Sequence, residues 1–461
     1  MKYFFETYGC QMNSAQSAAF KGVLRERGWS EAQDGTEADL VVLNTCSVRI
    51  GAETRVWGRL AQYAALKKKR RALQRPFTLL VAGCMASRLG ETLKQEAPAV
   101  DQVLGTSETS RFPRILESLE QGLPLQALNP EQASPEEKPV FSFAAFHGEQ
   151  GQFRSFIPIM HGCNNFCSYC IVPYVRGREV SRDPLSIREE IRTAARRGVR
   201  EITLLGQNVN SYQWKSSNPG ESLDFPGLLA VVAHEAEQNG IPWVRFLSSH
   251  PKDLSAEAIR VMAAHRVFCR HLHLCVQHGS NAILAAMNRG YTREAYLELV
   301  AEIREAMPDI SLSTDMLIGF PGETQGDLEQ TLSLMEAVKF LYAYMYHYNP
   351  REGTAAFTLP GRISEATKRQ RLARVIALQK GHTLELLQSR IGLRVKVLIE
   401  GISRKNANEL LARTERDEMV VVPGSPALIG SFANLHISSL QGNTFRAKEL
   451  SLCTCGYSDS L

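Results

Sequence analysis

The sequence predicts an α/β chain of three units: an N-terminal doubly wound parallel sheet, a central partial barrel of six βα repeats, and a small C-terminal β-barrel. Short apolar runs alternate with helical patterns over residues 1–106, and again with a longer rhythm from residue 156. Such alternation builds parallel sheets covered by helices. After about residue 380 the pattern changes to short β-type runs broken by Gly, Pro, Asn and Asp, as in small closed barrels. The length, 461 residues, also exceeds what one core usually organises. The expected boundaries are 1–120 for the first unit, 121–152 for a linker, 153–380 and 381–450 for the other two, and 451–461 for a tail.

In the first unit, strands are expected at 2–8, 40–44, 78–82 and 102–104, with helices at 14–27 and 54–71. Cys10 follows the first strand, Cys46 the second and Cys84 the third, with Gly9 and Gly83 directly before two of them. Doubly wound sheets collect ligands at the carboxyl ends of their strands. Three cysteines far apart in sequence therefore arrive at one sheet edge. They are either three buried thiols or a three-thiolate iron–sulfur site with one iron left open. Residues 121–152 carry Pro124, Pro130, Pro135 and Pro139 among Glu, Gln and Ala, a linker composition.

In the second unit, strands are expected at 156–160, 201–205, 243–248, 271–276, 311–318 and 342–348, with helices at 186–197, 225–238, 256–264, 293–306 and 328–340. Chemistry in such barrels sits at the carboxyl ends of the strands. The first strand runs into His161-Gly-Cys163-Asn-Asn-Phe-Cys167-Ser-Tyr-Cys170. A closed zinc site wants four ligands, and a cubane cluster on three thiolates leaves one iron open to an outside ligand. Ordinary thiols, a disulfide with one cysteine over, and zinc completed by His161 are the alternatives; the polar setting of Asn164, Asn165 and Ser168 favours metal. The other strand ends are polar too, with Gln207 and Asn208, Ser249, Gln277 and Asp315 converging on the same rim. One such residue is ordinary turn chemistry; the coincidence over several strands suggests a ligand site.

In the third unit, runs at 394–400, 410–414, 419–422 and 431–438 suggest about five strands, a scale shared with nucleic-acid-binding barrels. Arg404, Lys405, Asn406, Arg413 and Arg416 would decorate one side, with Arg404, Lys405 and Arg413 as the RNA contacts. Cys453 and Cys455 lie in a polar chain end and read as incidental.

Composition bounds the rest. Apolar residues make up 44% and charged residues 22%, as in soluble globular proteins. No apolar run approaches about 18 residues, so no membrane span is expected. The N-terminus reads as a strand rather than a signal peptide. Ten cysteines without short-domain spacing suggest a reducing compartment, the cytoplasm. The net charge of +5 is concentrated in Lys67, Lys68, Lys69, Arg70 and Arg71, and in Arg362, Lys368, Arg369, Arg371, Arg374 and Lys380. Such runs suit phosphate contact, although solvated helix faces produce them as well.

The Cys-x3-Cys-x2-Cys spacing with Tyr169 before its last cysteine resembles the radical S-adenosylmethionine (SAM) enzymes. With Tyr8-Gly-Cys-Gln-Met-Asn13, Val172-Pro-Tyr-Val-Arg-Gly-Arg-Glu-Val-Ser-Arg182, Leu204-Leu-Gly-Gln-Asn-Val-Asn-Ser-Tyr212, Gly401-Ile-Ser-Arg-Lys405 and Arg413-Thr-Glu415, essentially the whole chain resembles the methylthiotransferase family of that superfamily. Within the family these motifs are nearest the bacterial branch acting on N6-isopentenyladenosine in tRNA. The resemblance implies two 4Fe-4S clusters and SAM. Cys163, Cys167 and Cys170 would hold the cluster that cleaves SAM, and Cys10, Cys46 and Cys84 an auxiliary cluster carrying the sulfur. Tyr169, Gln207, Asn208, Ser249, Gln277 and Asp315 would line the SAM site. The C-terminal barrel would be an RNA-binding TRAM domain, the substrate a tRNA anticodon stem-loop carrying isopentenyladenosine, and the electron donor of flavodoxin or ferredoxin type. His161 stands where the family commonly has a carboxylate, and Asp417-Glu418-Met419 replaces an Asn-containing turn. The rivals are a methylthiotransferase for threonylcarbamoyl-adenosine tRNA or for a ribosomal-protein aspartate, a non-catalytic iron–sulfur RNA-binding protein, and a zinc-based RNA-binding module.

Overall fold

The computed structural model describes residues 1–47, 50–125, 152–216, 218 and 220–452. The linker expected at 121–152, except for its ends, and the thiols of Cys453 and Cys455 lie outside the described residues.

The N-terminal sheet is parallel throughout, in the order Ser30–Glu31, Lys2–Thr7, Leu40–Thr45, Thr78–Gly83, Gln102–Leu104. Its period of two divides the apolar residues between two faces. Val41, Leu43, Leu79 and Val81 pack with Val56, Leu60 and Tyr63 of helix Ile50–Ala72, whereas Leu40, Val42, Leu80 and Ala82 pack with Phe20 and Leu24 of helix Gln11–Glu26 and Phe112 and Ile115 of helix Phe112–Glu120. Burial on both faces explains the unbroken apolar runs of the two central strands. The edge pair Ser30–Glu31 is too short and polar to have been read from the sequence.

The central unit has six parallel strands that neighbour one another in chain order: Arg154–Pro158, Glu201–Leu205 and Trp243–Phe246, then His271–His273, Ser311–Ile318 and Tyr342–His347. Isolated parallel bridges, Val244 with Phe268 and Ser249 with Leu274, join the two halves. The expected third and fourth strands run shorter than 243–248 and 271–276, ending at Phe246 and His273; Ser248 (φ 67°) turns left-handed within the first of these ranges. Outer helices Pro184–Arg196, Phe225–Gln238, Ala256–Ala264, Arg293–Ala306, Gln325–Val338 and Glu365–Gln388 cover the sheet. Each begins at an Asp, Ser or Thr side chain that accepts a hydrogen bond from the first turn: Asp183, Asp224, Ser255, Thr292, Thr324 and Ser364. The last of these helices runs through the boundary expected at 380 and ends at Gln388.

The C-terminal unit is a closed five-stranded barrel ordered Arg394–Ser403, Asn406–Thr414, Met419–Pro423, Thr444–Leu452, Phe432–Gln441. Thr444–Leu452, not named from the sequence, turns Phe445 and Ala447 inward while Arg446 and Lys448 point outward.

This barrel docks at the amino ends of the central strands through buried charge. Glu201, 1% exposed, begins the second strand and accepts from Arg245 (2.8 Å) and Arg413 (2.7 Å), with Arg154 at 3.0 Å. Arg245 also donates to the carbonyls of Thr414 (2.8 Å) and Glu415 (3.0 Å), and Tyr342 donates to Asp417 (2.6 Å). Burial would raise the Glu201 carboxyl, but Arg245, Arg413 and Arg154 outweigh it and hold it below the usual range. Its stabilising contribution is therefore complete above the ordinary glutamate pKa and is lost as pH falls through the depressed folded value. We expect Glu201→Ala, which leaves the arginines without their shared carboxylate, to cost on the order of 3–5 kcal/mol at neutral pH. The difference from wild type should shrink in acid. Thermal melts at pH 7 and pH 4 check this; equal melting temperatures at pH 7 would refute it.

Candidate active site

The N-terminal sheet delivers three thiols to one edge. Thr7 pairs with Asn44, Asn44 with Ala82 and Thr45 with Gly83, so three strands end flush. Cys10 caps helix Gln11–Glu26, Cys46 lies one residue past its strand, and Cys84 opens helix Cys84–Leu89. Asn13, fully buried, ties these turns together. Its amide donates to Asn44 Oδ1 (2.8 Å) and to the Thr45 carbonyl (3.0 Å), and its Oδ1 accepts from the Cys10 thiol (3.3 Å). Two glycines are required by contact. A Cβ on Gly9 would meet Asn13 Oδ1 at 2.7 Å and Cys46 Cβ at 3.1 Å, and one on Gly83 would meet the Thr45 carbonyl at 2.5 Å.

The central loop gathers Cys163, Cys167 and Cys170. The Cys170 N–H donates to the Cys167 carbonyl (2.9 Å), Phe166 turns left-handed (φ 46°), and Arg289 Nη1 donates to Cys167 Sγ (3.3 Å). Gly162 (φ 77°) presses on the Arg178 carbonyl, where a Cβ would stand 2.0 Å away. Burial, with a smaller push from neighbouring cysteines of the loop, raises the Cys163 thiol to about 11 and the Cys170 thiol to about 12. Buried thiols of this kind ionise where cations compensate them, which the irons of a cluster do. The donor set fits a three-thiolate cluster.

The N-terminal trio touches the segment that follows the central one. Cys84 packs against Ile171 and Val175, in the segment that directly follows Cys170. Thr106 Oγ1 donates to the Val175 carbonyl (2.6 Å), and Arg351 pairs with Glu53 (3.1 Å). Glu53 also accepts from Ser47 (2.9 Å), beside Cys46, and from Arg88 (3.0 Å), on the Cys84 helix. Arg176 is buried in the same segment; burial disfavours its charge, and the thiols of Cys84, Cys10 and Cys46 outweigh that and hold its guanidinium above the usual range.

The residues expected to line the SAM site divide in two. Some have their polar atoms occupied by the protein. Gln207 Oε1 accepts from the Gly162 N–H (2.6 Å) and so anchors the cysteine loop; Gln277 has only its backbone N–H so engaged, with the Asp315 carbonyl (2.9 Å). Tyr169 packs with Ile283, Met287 and Phe320, its hydroxyl 3.5 Å from Arg289. Others leave atoms unspent. Asn208 donates to Asp253 (2.6 Å) while its Oδ1 is buried without a partner, as are Ser249 Oγ and both amide atoms of Asn210. Unsatisfied buried polar atoms on one rim fit a polar ligand such as SAM. Asp315 sits apart from them, with His273 and Cys275, their ligand atoms within 4.8 Å of one another. Burial opposes protonation of His273, yet Cys275 and Asp315 push its ring up to about 11.

The expected RNA contacts also divide. Arg404 and Lys405 are exposed in the turn between strands Arg394–Ser403 and Asn406–Thr414. Arg413 is corrected: its guanidinium is occupied by Glu201, Glu400 (2.6 Å) and Asp417 (2.5 Å), so it docks the barrel instead of facing solvent. The departure at Asp417 and Glu418 is absorbed by the same interface, with Glu418 paired to Arg390 (2.9 Å). Sequence reasoning had not singled out Arg176, Arg289, Asp253 or Cys275; Arg176 lay within a quoted motif, whereas nothing local marked the others.

Comparison with known proteins places three family models on these three units: the radical SAM superfamily over residues 157–335, an uncharacterized protein family (UPF0004) over 2–105, and the TRAM domain over 388–449. A protein of Treponema pallidum (strain Nichols) named tRNA-2-methylthio-N(6)-dimethylallyladenosine synthase is 50% identical, covering 97% of this chain and 98% of its own. A namesake from Geobacter metallireducens is 44% identical over 94% and 95%. Among solved structures, the radical SAM methyltransferase TsrM of Kitasatospora setae, with cobalamin and a [4Fe-4S] cluster bound, matches with a TM-score of 0.56 at 15% identity, covering 77% of each chain. At that identity the match speaks for the fold.

Asn13 provides a test of how the N-terminal trio is held. Asn13→Ala leaves Asn44 Oδ1 and the Thr45 carbonyl short of a donor, each costing about 1–3 kcal/mol. We expect a lower melting temperature and reduced iron content in anaerobically purified protein. Unchanged iron and stability would refute the clamp.

Proposed function

The chain belongs to the methylthiotransferase family of radical SAM enzymes, and from that premise we propose that it adds a 2-methylthio group to N6-isopentenyladenosine beside the tRNA anticodon. The observation that carries this reading is the meeting of two cysteine trios from separate sheets across the contact of Cys84 with Ile171 and Val175. When bound, the two 4Fe-4S clusters and two SAM molecules supply an electron, a methyl group, a hydrogen-abstracting radical and the sulfur. The carbon–hydrogen bond at adenine C2 has no acidity for a general base to exploit, so radical chemistry suits the substrate.

Within this reading the chain holds and orients. Cys163, Cys167 and Cys170 hold the cluster that meets SAM, on a loop braced by Gln207 and Arg289. The unspent atoms of Asn208, Asn210 and Ser249 receive SAM's polar groups. Cys10, Cys46 and Cys84 hold the auxiliary cluster, and the adenine enters between the two. The TRAM barrel, docked at the opposite end of the central strands, offers Arg404 and Lys405 to RNA phosphates. A flavodoxin- or ferredoxin-type donor supplies electrons in the cytoplasm. No helix among the described residues is long and apolar enough to cross a membrane. The relatives' shared name favours the prenylated adenosine over threonylcarbamoyl-adenosine or a ribosomal-protein aspartate.

Two expectations follow from this assignment. Cys163→Ala should abolish release of 5′-deoxyadenosine from SAM, whereas Cys46→Ala should retain some release and form no 2-methylthio nucleoside by mass spectrometry of tRNA digests. Full product from the Cys46 variant would overturn the auxiliary role. Replacing Arg404 and Lys405 by alanine should weaken tRNA binding and reduce the salt slope by about 1–2. An unchanged slope would remove them from the interface.

A further inference from the structure

Arg176 carries a role beyond the cluster ligands. It ends the short helix Val172–Arg176 of the central unit, yet its guanidinium is buried against the N-terminal unit. Burying a guanidinium is unfavourable unless anions and acceptors receive its five donors. The residue before it, Val175, packs on Cys84, and the thiols of Cys84, Cys10 and Cys46 are the neighbours that favour its charged form against burial. Its Nη2 is buried with no acceptor. An unsatisfied buried donor on a charged group is costly, so the protein alone gives no account of this position. An anionic acceptor among the three thiols does.

The backbone holds the guanidinium there. Gly177, next in the chain, adopts φ 75°, and its carbonyl receives the Cys163 N–H (3.2 Å). Val175, the residue before, packs on Cys84 and accepts from Thr106. The segment that closes the Cys163 loop thus carries a cation into the other trio.

Resting on the reading of Cys10, Cys46 and Cys84 as ligands of an auxiliary cluster, we propose that Arg176 positions and tunes that cluster: its guanidinium donates to the cluster's sulfurs and raises the reduction potential. Net charge, hydrogen bonds to sulfur and exclusion of solvent set such potentials. A buried cation favours the more negative, reduced state. The N-terminal site is then complete only when the central unit is docked on it.

The test uses full-length protein carrying Cys163→Ala, Cys167→Ala and Cys170→Ala, so that the remaining cluster is read alone by electron paramagnetic resonance during a redox titration. Arg176→Gln should move the midpoint to a more negative potential, and Arg176→Lys should recover part of the shift. Arg351→Gln, which breaks the Glu53 pair at the same interface without touching the thiols, should leave it in place. An unmoved potential in Arg176→Gln, or an equal shift in Arg351→Gln, overturns the proposal. If Arg176→Gln does not retain iron, Arg176→Lys is compared with Arg351→Gln: a changed spectrum in the lysine variant alone supports the role, and an unchanged one overturns it. A triple cysteine variant that binds no iron would instead overturn the auxiliary-cluster reading itself.

Discussion

Parallel sheets concentrate function at the carboxyl ends of their strands, and this chain contains two such edges that are in contact with each other. The contact that brings them together is small and specific. Cys84 lies against Ile171 and Val175, Thr106 bonds the Val175 carbonyl, and Glu53 accepts from Ser47, Arg88 and Arg351. Glu53 is informative because it links the Cys46 turn, the Cys84 helix and the central unit through one carboxylate. Ser47 and Arg88 tie that carboxylate to the two cysteine turns, and Arg351 adds the link to the central unit. Close backbone approach enforces the same geometry, since Gly9, Gly83 and Gly162 stand where a Cβ would collide with neighbouring strands or loops.

The other end of the central unit is held by different physics. Glu201, Arg154, Arg245, Arg413, Glu400 and Asp417 are largely withdrawn from water, where an ion pair adds little net stability but breaking one is costly. Such an interface is selective for geometry: Arg245 reaches the Thr414 and Glu415 carbonyls only when the barrel sits in one orientation. With the C-terminal barrel at the amino ends and the thiols at the carboxyl ends, a substrate touching both must span the length of the central strands. An RNA arm does so; a free nucleoside does not.

Much of this was legible in the sequence because it rests on local rules. Short apolar runs alternating with helical patterns gave the strands, and thiols placed just past those runs gave both trios. What stayed hidden depends on tertiary partners. Arg413 reads as an exposed basic residue of a β-barrel until Glu201, more than two hundred residues earlier, is seen to occupy it. Thr444–Leu452 alternates correctly, but its outward charges and chain-end position mask it. Ser248 and Gln277 turn left-handed at the rim with no glycine to announce it.

The polar rim shows why residue type alone could not sort scaffold from ligand contact. Gln207 and Asn208 are adjacent amides at one strand end, equal in chemistry and expected role. Gln207 turns its oxygen to the Gly162 N–H and so holds up the loop carrying Cys163. Asn208 gives its amide hydrogens to Asp253 and keeps its oxygen buried without a donor. Hydrogen-bond accounting separates them, because a satisfied atom has done its work within the fold and an unsatisfied one requires a partner from outside. The same accounting sets Arg176 apart from Arg413: both are removed from solvent, but the carboxylates around Arg413 complete it, whereas Arg176 keeps a donor buried without an acceptor.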